Sequence, residues 1–67
     1  MTVFVNQQPV EEADAATLLQ LLTRLSLSDK KGIAVAVDAA VVPRAFWGTT
    51  PLTANQKITI LQATQGG

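Results

Sequence analysis

The chain has no cysteine and no histidine. Without cysteine, no disulfide can staple the fold and no thiolate can hold a metal or attack a substrate. Without histidine, the usual general base near neutral pH is missing, and so is the commonest neutral metal ligand. Charge is sparse and balanced, with five basic residues against five acidic ones and a formal net charge of zero. No basic stripe runs along the chain, so nucleic acid is not an expected partner. The apolar runs fall far short of the ~20 residues that a membrane-spanning helix needs. The opening Met1-Thr2-Val3-Phe4-Val5-Asn6 has neither the basic region nor the cleavage site of a signal peptide. A cytoplasmic protein away from membranes is expected. Glu11, Glu12 and Asp14 lack metal-ligand spacing. They read as a solvated edge and as acids favoured near a helix N-terminus, so no metal site is expected.

What remains is a chain of 67 residues, 48% of them hydrophobic. That composition suits one small folded domain and argues against disorder. A domain of this size buries only about 60% of the surface its unfolded chain exposes, so its stability margin is thin.

Thr2 to Val5 alternates as a strand, with Val3 and Val5 on one face and Thr2 and Phe4 on the other. Asn6-Gln7-Gln8-Pro9 reads as a turn, and Val10 to Glu12 as a short second strand with proline at an edge. Thr17-Leu18-Leu19-Gln20 matches the capping-box pattern that opens a helix. Leu18, Leu21, Leu22 and Leu25 form its apolar stripe, and Leu19 falls off the stripe centre. Ser26, Ser28 and Asp29 end the helix, before a solvated loop at Lys30-Lys31-Gly32. Ile33 to Val37 is the third strand. Asp38-Ala39-Ala40 turns the chain into a short fourth strand at Val41-Val42, which Pro43 stops. Arg44 to Gly48 suggests one helical turn, with Phe46 and Trp47 capping the core and Arg44 as a rim charge. Thr49 to Lys57 reads as a polar loop with a turn at its end. Ile58 to Thr64 is the closing strand. The order β-β-α-β-β-β lets one helix pack across one face of a mixed sheet.

The closing strand runs into Gly66-Gly67. Glycine has no Cβ, so such a tail can thread a slot too narrow for side chains. The terminal carboxylate is the one group here open to activation by adenylation. The expected division is a domain over residues 1–64 and a flexible tail over residues 65–67.

Taken together, these pieces resemble the ThiS family, the sulfur carriers of thiamine biosynthesis, within the ubiquitin-like β-grasp group. The resemblance spans essentially the whole chain. It rests on Val3-Phe4-Val5-Asn6, Thr17-Leu18-Leu19-Gln20-Leu21-Leu22 and Ala34-Val35-Ala36-Val37. It continues through Val41-Val42-Pro43-Arg44 with Trp47, then Ile58-Thr59-Ile60-Leu61 and the final Gly66-Gly67. The sequence departs from the usual pattern at Ala54-Asn55-Gln56, where Asp-Gly is frequent, and at Ala63-Thr64-Gln65, where another hydrophobic residue is frequent.

The resemblance implies an α+β fold of the β-grasp type and a role as protein co-substrate, not enzyme. It implies that a ThiF-like adenylating enzyme uses ATP to activate the Gly67 carboxylate. A cysteine desulfurase or other sulfur donor then converts the adenylate to a thiocarboxylate. That group delivers sulfur to a ThiG-like thiazole synthase. No cofactor is expected on the carrier itself. Gly67 would carry the sulfur, Gly66 would be the thin link, and Gln65 and Thr64 would pair with the partner as an extended segment. In the β-grasp arrangement the first, third and last strands are neighbours. Phe4, Ala36, Leu61 and Ala63 would then share the outer sheet face as a docking patch. A MoaD-like small subunit of molybdopterin synthase has the same fold and tail, although Val-Pro-Arg-x-x-Trp favours ThiS. A ubiquitin-like modifier and a pure binding module are the other readings.

Overall fold

A computed structural model describes residues 1–62. The first element is a hairpin of β1 (Thr2–Val5) and β2 (Gln8–Glu11), joined by Asn6 and Gln7. Both joining residues have positive φ, 48° and 72°. That pattern suits the twist of a tight hairpin. β2 starts earlier than expected and takes in Pro9, which sits opposite Phe4. The Phe4 N–H points the other way, to the Gln56 carbonyl at 2.9 Å. Pro9 therefore faces the open edge of the sheet, where its missing N–H breaks no ladder bond.

Helix α1 (Leu18–Arg24) begins with the expected capping box. The Thr17 hydroxyl accepts from Gln20 N–H at 3.2 Å, and Gln20 Oε1 accepts from Thr17 N–H at 2.8 Å. Leu18, Leu21 and Leu22 are fully buried against the sheet, and Leu19 is exposed. Leu25 departs from expectation. It is the C-cap and stands exposed, because Ser26 takes a left-handed conformation that ends the helix there. Leu27, after the break, packs onto the core in its place.

Strand β3 (Ile33–Val37) turns through Asp38 and Ala39 into β4 (Ala40–Val41). Both turn residues have positive φ, so the turn is one residue tighter than expected and β4 starts at Ala40. A 3₁₀ turn (Arg44–Thr49) follows. Trp47 is buried there, and its Nε1 donates to the Val42 carbonyl at 2.9 Å. Phe46, expected beside it in the core, is 57% exposed, since consecutive residues of so short a turn cannot share one face. The Arg44 guanidinium lies 4.5 Å from the Trp47 ring centroid. It also donates to the Ser28 carbonyl and, at 2.5 Å, to that of Lys30. What read as a rim charge clips the loop after α1.

Residues 50–56 are less of a free loop than their polarity suggests. Leu52 is buried in the core. Its N–H donates to the Ala16 carbonyl at 2.9 Å, and Leu18 N–H donates to the Thr50 carbonyl at 2.8 Å. The segment thereby satisfies an unpaired N–H in the first turn of the helix. Strand β5 (Lys57–Gln62) closes the sheet. The strand order is β2-β1-β5-β3-β4, with β5 parallel to β1 and antiparallel to β3. Val3, Val35, Val37 and Ile58 meet the helix and Trp47 in one core.

Glu12 corrects another expectation. It is buried, not solvated. The chain leaves β2 across the end of the sheet, and the Glu12 N–H donates to the Met1 carbonyl at 2.8 Å. The Glu12 carboxylate then pairs with Arg24, in the last turn of α1. Arg24 Nη1 also reaches the Glu11 carbonyl at 2.9 Å. The pair ties the first hairpin to the far end of the helix.

Two outcomes follow for stability. Leu21→Ala empties part of a fully buried site and is expected to cost ~2–5 kcal/mol. Against the thin margin of so small a domain, urea unfolding should show a midpoint near zero denaturant; a midpoint close to that of the parent would refute this. Arg24→Met strands a carboxylate whose side chain is only 2% exposed, at an expected cost of ~1–3 kcal/mol. The Arg24 side chain is itself 61% exposed, so the loss stays below that of a fully buried pair. Glu12→Gln removes the charge that needs a partner and should cost less. Equal urea midpoints for the two variants would count against the pairing.

Candidate functional site

The sheet has one face under the helix and one face bare. Alternation decides which residues stand on the bare face. On β5, Ile58 and Ile60 turn inward, so Lys57, Thr59 and Leu61 turn out. On β3, Ala34 and Ala36 turn out, and on β1, Thr2 and Phe4 do so. Three of the four expected patch residues, Phe4, Ala36 and Leu61, therefore share this face. Ala63 lies outside the described residues, as do Thr64, Gln65, Gly66 and Gly67.

The register resolves the patch into two parts. Leu61 stands opposite Ala34, and Ala36 stands between Thr59 and Val41. Leu61 and Val41 are 66% and 71% exposed. With Ala34 and Ala36 they make an apolar area that runs from β5 to the edge strand β4. Phe4 stands opposite Lys57. It is four residues along β5 from Leu61, or about 13 Å at strand rise. Lys57 and Thr59 project from β5 between them. Phe4 is half-buried and lines a shallow depression with Asn6, Gln7, Lys57, Ile58 and Thr59. Val41 escaped the sequence reading because β4 was placed one residue late. Starting the strand at Ala40 fixes which face Val41 occupies.

Two short polar side chains bond the backbone of β5, both from the first residue of a hairpin turn. Asn6 Oδ1 accepts from Ile60 N–H at 2.8 Å, and Asn6 Nδ2 donates to the Ile60 carbonyl at 3.2 Å. Asp38 Oδ1 accepts from Lys57 N–H at 2.9 Å. One holds the strand near its end and the other at its start. Neither contact was foreseen, because the partners are 54 and 19 residues apart. Among the described residues no group of His, Cys, Asp or Glu side chains is placed to hold a metal ion. No helix among them is long and apolar enough to cross a membrane.

A mixed five-stranded sheet with β5 between β1 and β3, and one helix across a single face, defines the ubiquitin-like β-grasp class. Two of the solved structures that share this fold are of thiamine biosynthesis proteins. One is the crystal structure of the thiamine biosynthesis protein ThiS from Geobacter metallireducens. It has a TM-score of 0.81 and 23% sequence identity, and the likeness covers 100% of both chains. The other is the NMR solution structure of a thiamine biosynthesis protein from the same organism. It has a TM-score of 0.78 and 23% identity, covering 100% of this chain and 88% of that one. Identity at this level carries the fold. No curated protein sequence matches the chain. The ThiS family model matches residues 2–67, and the chain belongs to the ThiS family.

Proposed function

We propose that this protein is a sulfur carrier of thiazole synthesis in the thiamine pathway, with Gly67 as the carrying residue. The observation that bears the reading is the family match, which runs through both terminal glycines. The chemistry of the chain agrees with it. A carboxylate is a poor acyl donor, so it must first attack the α-phosphorus of ATP, releasing pyrophosphate and forming an acyl-adenylate. The terminal sulfur of a persulfide then attacks the acyl carbon and AMP leaves. A second thiol cleaves the resulting acyl disulfide and releases the thiocarboxylate. With neither cysteine nor histidine, the chain offers neither the thiol nor the usual base for these steps. A ThiF-like enzyme with ATP, a cysteine desulfurase or other donor, and a ThiG-like synthase supply them. The carrier supplies a deliverable group, and Gly66, Gln65 and Thr64 present it.

The bare sheet face serves as the docking surface. Its apolar part joins Leu61, on the strand that leads to the tail, with Ala34, Ala36 and Val41 on the two strands beside it. A partner seated there receives the tail without the domain having to turn. Leu61→Glu should leave the thermal midpoint within a few degrees, because the side chain is mostly exposed. It should raise KM for adenylation about tenfold, since one central anchor of an interface can be worth ~1–2 kcal/mol. An unchanged KM removes the patch from the docking surface.

The direct test uses the missing thiols. The chain is co-expressed with its adenylating and sulfur-donating partners, treated with iodoacetamide, and measured as intact protein and as C-terminal peptide. Prompt alkylation on Gly67 is expected, because no cysteine competes for the reagent. An unreactive tail beside active partners defeats the carrier reading. Covalent conjugates on other proteins would place the chain among modifiers instead.

A further inference from the structure

We infer that Asn6 is a positioning residue for the tail, fixing the line along which the chain leaves β5. The inference rests on the carrier reading for its purpose, but its geometry stands alone. Strand β1 ends at Val5, and the main chain then turns away toward β2. The last main-chain bond from this side is Asn6 N–H to the Ile58 carbonyl, 2.9 Å. Two residues further on, Ile60 turns its N–H and its carbonyl to the same side, and β1 has no backbone left to meet them. The Asn6 side chain takes its place. Its amide offers one acceptor and one donor, and it bonds the N–H at 2.8 Å and the carbonyl at 3.2 Å. A primary amide thus imitates the peptide group of a strand residue that is not there.

Turn chemistry alone does not account for asparagine here. A φ of 48° suits glycine better than any other residue. Aspartate tolerates the same conformation, as Asp38 shows at φ 49°, but an ionised carboxylate has no donor for the Ile60 carbonyl. Glutamine carries the amide one methylene further out and is less at ease with positive φ. Asparagine alone meets the turn and the ladder together. Once this bond is made, β5 is held from both sides near its end, by Asn6 at Ile60 on one side and by β3 at Thr59 and Leu61, opposite Ala36 and Ala34, on the other. Only Leu61 and Gln62 separate that clamp from residue 63. Without it, the end of β5 would be held by β3 alone and could swing about that single ladder. A carrier must place its last carbon in another protein's site, where misplacement by ~1 Å can cost about a hundredfold in rate.

Asn6→Gly tests the assignment, because glycine keeps the turn and deletes the amide. The thermal midpoint should stay within a few degrees of the parent. The Ile60 amide should exchange its hydrogen about tenfold faster, the scale of one lost hydrogen bond, while the Ile58 amide is unchanged. With a ThiF-like adenylating enzyme and ATP, kcat for acyl-adenylate formation should fall severalfold at unaltered KM, since docking is intact and only the aim is lost. Unchanged exchange at Ile60 overturns the clamp. Faster exchange with parental kcat overturns its role in positioning. If the parent itself is never adenylated, the carrier reading fails, and exchange at Ile60 still decides the clamp.

Discussion

The last strand lies in the middle of the sheet. β5 sits between β1 and β3 and pairs with both. Its Ile58 is almost fully buried at the centre of the core. Remove β5 and the two hairpins lose the strand that joins them into one sheet, since among the described residues β1-β2 and β3-β4 do not pair with each other. The pairing also joins residues 4 and 57, nearly the length of the chain apart. Loop closure over that distance must precede the reward of burial. The sheet can form only after the end of the chain has arrived.

Much else serves to hold that strand. Asp38 receives its first N–H and Asn6 receives a later one. Both side chains come from the first residue of a tight turn with positive φ. The hairpins flanking β5 therefore do more than reverse the chain; each reaches sideways from its turn into the neighbouring ladder. On the other side of the molecule, Leu52 and Trp47 fill the space beside a helix only seven residues long. A helix so short is not stable by itself. It owes its order to the core, to its capping box and to the segment around Thr50 that meets its first turn.

The local features were legible in the sequence. Alternation located the strands, the Thr17–Gln20 pattern located the start of the helix, and parity alone put Leu61 on the outer face. Those rules act over two to four residues, and their physics is contained in that span. The misreadings arose where a distant partner decided. Glu12 looked solvated because Arg24, its counter-charge, belongs to another element. Leu52 sat among polar neighbours and looked like loop, yet the helix N-terminus draws it in. Phe46 and Trp47 could not be told apart by composition. Only the 3₁₀ geometry and the Val42 carbonyl choose tryptophan for the inside. Asn6 carried a correct local reading, its place in a turn, that concealed a second and longer-range one. The residues of the tail itself, from Ala63 onward, lie outside the described part of the fold.

The parallel pairing of β1 and β5 has a mechanical side. Suppose force is applied between the start of the chain and its tail. The two strands then slide past one another, and the bonds that join them lie across the direction of pull. Such bonds share the load and must break together, whereas a hairpin pulled open at one end yields bond by bond. The β1–β5 ladder, together with the Asn6 clamp beside it, is therefore loaded in shear. Tension drawn along β5 is thus borne by that whole seam at once.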